Sequence, residues 1–414
     1  MGQDTRLAGG GKGKSLEKAP PAVPYQPQLG SHIPALDAIR GLAILIVTAF
    51  RFHEGPADNT AIGGAVFKLL RQGEHGVDLF FVLSGFLITG ILYDAKGSQR
   101  YFRNFYIRRT LRIFPLYYGV LFLTLVVLPL LVPLAASLFA VADRHQAWLW
   151  LYGSNFLLAQ KEAWFLDGFT HFWSLAVEEH FYLVWPLVIF FCSRRAAMLA
   201  CGGFIVVAVA LRVGLSAVGG HDVAIEVLTP CRMDALALGG LLALAARGPG
   251  GPRGLVRWVV GAAVLGSLFL AGVWAWSGST WSLEWSLYPC WFGALIVLAI
   301  TTDPARWPGR FWNSRALQFC GKYSYGWYVF QGLLVPVLPV LFSADDLAFW
   351  LDSPFGGRIL FILWGGTVSL AVALLSWHLY EKHFLRLKNV LARPERRPKD
   401  LPQPGYPRQK AKVA

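Results

Sequence analysis

Apolar residues in this chain recur in runs long enough to cross a bilayer, separated by short polar segments. At about 20 residues per crossing, the runs predict ten helices, near 36–53, 77–95, 111–133, 173–192, 197–219, 229–246, 256–276, 286–301, 324–342 and 358–380. The expected fold is therefore all-α, a polytopic transmembrane helix bundle of about ten spans. Segment 145–160 is apolar but short, and Gly153, Ser154 and Asn155 interrupt it. It suits an interfacial or re-entrant element rather than a span. No internal repeat is visible.

One run carries charge where lipid should be. His171 to Phe191 is long and apolar enough to span, yet it holds Glu178, Glu179 and His180. An ionisable side chain at the centre of a transmembrane helix costs roughly 2.5–3.5 kcal/mol on insertion scales, so it faces a protein interior or a wet cavity and marks a functional path. Helical spacing puts His171, Ser174, Glu178 and Tyr182 in one stripe, with Glu179 about 100° round.

Composition agrees with the pattern: 55% of the 414 residues are hydrophobic and mean hydropathy is +0.47, outside the range of ordinary soluble domains. The net charge of +14 is mostly topology. Nearly all loop lysines and arginines fall in the N-terminal tail and in alternate loops, whereas the other loops hold only Lys68, Arg71, Arg144 and Lys161. The positive-inside rule places the basic side, with both termini, in the cytoplasm, and leaves no reason to expect a nucleic-acid partner. Residues 1–33 read as a disordered cytosolic tail without a cleavable signal, 34–388 as the membrane domain, and 389–414 as a basic cytosolic tail that could rest on anionic lipid. The five cysteines form no CxxC pair, so neither a disulfide framework nor a metal is expected.

On this map the polar groups form two layers. Asp37 and Arg40 lie at the inner end of the first helix, Arg51 and His53 near its outer end. Arg40 and Arg51 are separated by about 16 Å of rise and share a face, while His53 points elsewhere. The outer layer also receives Asp78, which needs a cationic partner such as Arg51 or Arg232, together with Glu178, Glu179, His180, Arg232 and Asp234. Ser84 and Gly85 sit near mid-membrane, where small residues let helices approach. The inner layer holds Arg100, Arg103, Arg108, Arg109 and Arg112, and guanidinium forks of this kind bind phosphate oxygens bidentately.

Six segments carry a resemblance. Leu36-Asp-Ala-Ile-Arg-Gly-Leu-Ala43, Gly76-Val-Asp-Leu-Phe-Phe-Val-Leu-Ser-Gly-Phe-Leu-Ile88, Arg109-Thr-Leu-Arg-Ile-Phe-Pro115, Trp173-Ser-Leu-Ala-Val-Glu-Glu179, Arg232-Met-Asp-Ala-Leu236 and Tyr323-Ser-Tyr-Gly-Trp-Tyr-Val329 occur in the order seen in the acyltransferase-3 family of integral membrane O-acyltransferases. The resemblance covers about residues 33–388. It implies an enzyme of a bacterial inner (cell) membrane that moves an acyl group, commonly acetyl, from cytosolic acyl-coenzyme A to a hydroxyl of a cell-envelope carbohydrate or glycosylated metabolite. Acyl-coenzyme A would be a donor substrate, with no metal and no tightly bound cofactor. Some members carry a further extracytoplasmic hydrolase-like domain, for which this chain is read as having no room.

By position the resemblance carries over Arg40, Asp78, Ser84, Glu178, Arg232 and Asp234. It departs at Arg51, which stands where the family has a histidine and which cannot act as a general base. His180 stands where many members have glutamine, and Gln331 where many have histidine. The resulting expectation is that Arg108, Arg109 and Arg112 bind the donor phosphates and that the pantetheine arm passes Arg40. His180 beside Glu178, or else His53, would take the hydroxyl proton, with Arg51 near the oxyanion. A transporter or flippase of an envelope precursor, using the same polar cavity without bond making, is the alternative.

Overall fold

A computed structural model describes residues 27, 29–58, 60–219, 222–277 and 281–392. The two expected tails lie largely outside the described residues. Ten long helices follow in order: α1 (Pro34–Arg51), α2 (Gly76–Ala95), α3 (Tyr101–Phe122), α4 (Phe172–Phe191), α5 (Arg194–Ala217), α6 (Thr229–Ala246), α7 (Gly251–Ser277), α8 (Trp281–Thr301), α9 (Arg315–Leu334) and α10 (Pro354–Ser376). A shorter α11 (Lys382–Leu391) follows a π turn at Trp377–Glu381. Among the described residues there is no strand beyond an isolated bridge.

Eight of these helices, α2 to α8 and α10, lie in segments long and apolar enough to cross a membrane. This is a multi-pass membrane protein. α7 turns Trp258, Leu265, Leu268 and Phe269 outward, as a helix facing lipid does.

The other two helices are different. α1 and α9 have 18 and 20 residues, but α1 contains Asp37, Arg40 and Arg51, and α9 contains Arg315, Lys322, Ser324 and Gln331. They pack against each other in the same direction. A methyl group on Gly41 would strike the carbonyl of Leu317, and one on Gly321 would strike that of Asp37, so the backbones touch as small residues allow. Further along, Thr48 Oγ1 donates to Gln331 Oε1 at 2.7 Å. A second glycine pair joins α2 to α6, where Gly85 meets Leu236 and Gly239 meets Val82.

Three boundaries differ from expectation. α3 begins before the expected span, so Arg103, Arg108 and Arg109 ride on a helix rather than in the preceding loop. Nothing breaks the chain between Tyr101 and Pro115, and arginine is a good helix former. α9 ends at Leu334 and starts earlier than the expected 324–342 span. Pro336 and Pro339 cannot continue it, and Leu338–Leu341 forms a separate turn of helix. Segment 145–160 forms two short helices, Gln146–Trp150 and Ser154–Lys161, joined through Tyr152 at φ 55°. Both are too short to cross, and Asn155 Nδ2 donates to Thr229 Oγ1 at 3.0 Å, tying the segment to the start of α6.

Candidate active site

A cavity of about 290 Å³ runs between α1, α2, α3, α4 and α9. At one end it is lined by Asp37, Arg40, Arg109 and Arg112, in the middle by Ser84, Glu178, Glu179 and Tyr182, and at the other end by Ser174 and Tyr328. Ser174 and Tyr182 are eight residues apart on α4, so the lining extends over about 12 Å of helix rise. Phe80, Leu83, Leu87 and Ile88 supply an apolar wall from α2.

Arg40 Nη1 donates to Asp37 Oδ1 at 2.7 Å. Arg109 and Arg112 have no carboxylate at ion-pair distance among the described residues, and Arg109 Nε is buried without a partner. Glu178 lies beside Tyr182 and Ser84, whose hydroxyls contact each other. At the far end Ser174 Oγ and Tyr328 Oη share a hydrogen bond at 2.6 Å, and each lies 3.1 Å from the carbonyl of His171, which accepts from whichever of them does not donate to the other. The cavity thus joins unpaired guanidinium groups to carboxylates and hydroxyls along one passage.

Comparison with known proteins identifies the family. A family model described as an acyltransferase domain matches residues 33–378. The chain belongs to that family. This acyltransferase domain is 28% identical over 339 residues to the O-acetyltransferase OatA of Staphylococcus aureus (strain NCTC 8325 / PS 47), a match covering 77% of this chain and 52% of the relative. It is 26% identical over 327 residues to a protein of Staphylococcus aureus (strain COL) with a provisional O-acetyltransferase name, covering 72% of this chain and 50% of that one. The chain therefore spans about half the length of these relatives. No solved structure matches it significantly.

Within the acyltransferase domain the expected residues divide into two sets. Arg40, Ser84, Arg109, Arg112 and Glu178 share the cavity. The others lie elsewhere. His180 follows Glu178 by two residues and so points about 200° round the helix; its Nδ1 is 2.7 Å from Thr229 Oγ1 and its ring stacks on Phe156. His53 lies past the end of α1, with Nδ1 2.5 Å from the carbonyl of Phe50 and its own carbonyl accepting from Arg358 Nε. Arg51 is not among the cavity-lining residues, and its Nε is buried without a hydrogen-bond partner.

Asp78 is fully buried and accepts from Arg232, with His75 Nδ1 at 3.2 Å. Arg232 also lies over the Trp285 ring at 4.4 Å. Asp234 pairs with Arg212 at 2.6 Å and accepts from Ser286. These pairs fasten α2, α5, α6 and α8 together outside the cavity. Arg108 turns to the carbonyl of Ala392 at 2.9 Å.

Sequence reasoning passed over Tyr325 and Tyr328, which line the cavity from α9, although their spacing of three residues marks one helix face. It also passed over Arg212, whose position inside an apolar run was the available signal.

Proposed function

We propose that the domain transfers an acyl group, acetyl in the first instance, from acyl-coenzyme A to a hydroxyl of a cell-envelope carbohydrate or glycosylated metabolite in a bacterial cell membrane. The observation that carries this reading is the single passage that holds Arg40, Arg109 and Arg112 at one end and Glu178 in its middle. Arg109 and Arg112, which have no carboxylate at ion-pair distance among the described residues, suit donor phosphates, and a carboxylate beside hydroxyls suits proton transfer to and from an acceptor. The O-acetyltransferase names of its relatives support the reaction class.

In this reading the acceptor oxygen attacks the thioester carbonyl. A carbon–oxygen bond forms, the carbon–sulfur bond breaks, and the hydroxyl proton passes through Glu178 to the leaving sulfur, which departs as a thiol. Arg40 stabilises the oxyanion. Asp78, Arg232, Asp234, His53 and His180 support the bundle around this step, and Arg51 holds positive charge near its far end.

The test is transfer of label from radiolabelled acetyl-coenzyme A to an envelope carbohydrate fraction by purified protein. Glu178→Gln should lower the rate by about 10²–10⁴-fold, the usual contribution of a positioned base, with the protein still inserted and monodisperse. Full activity in Glu178→Gln would remove that residue from the chemistry. Acceptor movement across vesicles with no acyl transfer would favour the transporter reading instead.

A further inference from the structure

A second cavity, of about 180 Å³, opens beside the basic end of the first. The two share Asp37, Arg40, Arg112 and Tyr325. The walls of the second are its own: Lys322 and Tyr323 from α9, Trp377 and Glu381 from the π turn, and Leu385 from α11. A π turn inside a helix is rare and recurs at functional sites. Here it brings Trp377 edge-on to Tyr323, ring centroids 5.4 Å apart.

The chemistry of these walls differs from that of the long passage. Lys322 Nζ lies 4.9 Å from the Tyr323 ring centroid and 5.5 Å from that of Trp377. No carboxylate stands within ion-pair distance of it among the described residues. The two acids of the chamber are already engaged, Asp37 with Arg40 and Glu381 with the Ser376 hydroxyl at 3.0 Å. Lys322 and Arg112 are therefore free to meet an anion beside two aromatic rings. A flat heterocycle with attached phosphates fits such a set, because rings stack on aromatic side chains and phosphates take the cations.

We infer that this side chamber is the nucleotide subsite of the acyl donor, with the purine against Trp377 and the phosphates at Lys322 and Arg112. The pantetheine arm of the donor then passes the shared Arg40 and enters the apolar-walled passage toward Glu178. This inference rests on the acyl-coenzyme A reading above and adds to it the division of the donor between two chambers. The long passage serves the thioester, and the side chamber selects for the nucleotide.

Equilibrium binding of radiolabelled coenzyme A to the full-length protein tests it, comparing wild type with Lys322→Gln and Trp377→Leu. Trp377→Leu should weaken coenzyme A by about tenfold, the scale of one aromatic–base stack, and Lys322→Gln by about tenfold, the scale of one hydrogen bond to a charged group. Adenosine 3′,5′-bisphosphate, which has no arm, should displace coenzyme A from wild type. Pantetheine, which has neither nucleotide nor phosphate, should bind all three proteins alike and so also reports that the variants are folded. Undiminished coenzyme A binding in both variants would overturn the nucleotide subsite while leaving the donor reading intact. Failure of the bisphosphate to compete would also overturn the subsite. Failure of wild type to bind coenzyme A at all would overturn both.

Discussion

Asp78 and Glu178 are both membrane-embedded carboxylates, yet their surroundings give them different work. Asp78 is closed off and paired with Arg232; Glu178 opens onto a cavity. Removing one member of a buried ion pair costs about 3–5 kcal/mol because the other charge is stranded. Asp78→Ala should therefore lower the thermal stability of the detergent-solubilised protein strongly, and adding Arg232→Met should recover part of the loss. A double variant no more stable than Asp78→Ala would show that the two charges do not depend on each other. The spacing that puts Ser174, Glu178 and Tyr182 on one face was readable from the chain because helical neighbours three and four apart coincide. By the same geometry His180 leaves that face. Glu178 and His180 are two residues apart in the chain, but a helix turns them to different faces, and His180 lies against Thr229 and Phe156.

At the level of helices, contact is set by what the side chains leave out. Gly41 and Gly321 bring α1 and α9 to backbone contact, and any larger residue must push the pair apart. Gly321→Val should cost about 1–3 kcal/mol or more by overpacking, seen as a lower melting temperature; an unchanged melting temperature would mean the interface can open without loss. Between α9 and α10, the Ala344–Leu351 helix is started by a capping box in which Ser343 and Asp346 exchange hydrogen bonds. Those bonds hold the exposed Asp346 carboxyl below its usual range. A depressed carboxyl stabilises while ionised, so this cap is intact at neutral pH and is lost as pH falls through the lowered value. Protection factors for hydrogen exchange across residues 344–351 should fall on acidification, and Ser343→Ala should reduce that pH dependence, the backbone bond from residue 343 to Asp346 remaining. The helices themselves were legible as apolar runs, but their ends were not. The start of α3 was hidden because its first turns carry arginines, and the end of α9 because Pro336 and Pro339 sit inside a run that stays apolar.

For the molecule as a whole, the uneven distribution of lysine and arginine predicts an orientation. With the native cysteines replaced, a cysteine at Lys161 should react with an impermeant thiol reagent from outside intact cells, and one at Arg195 only after lysis. The opposite pattern would invert the bundle and put the basic end of the cavity outside. The all-α membrane class could be read from hydropathy, since a bilayer demands long apolar segments, and eight of the ten expected spans fall in helices long and apolar enough to cross. The cavity could be read only in part: its charged members were visible as anomalies in apolar runs, whereas Tyr325 and Tyr328 look like ordinary aromatic residues until α9 is placed beside α1 and α4. The contact between α1 and α9 also bears on how the protein is made. The ribosome delivers α1 first, with Asp37, Arg40 and Arg51 along it, and the partner for Thr48 emerges 283 residues later. The last polar contact of α1 is therefore made only after all the helices between it and α9 exist, so this part of the bundle closes late in synthesis.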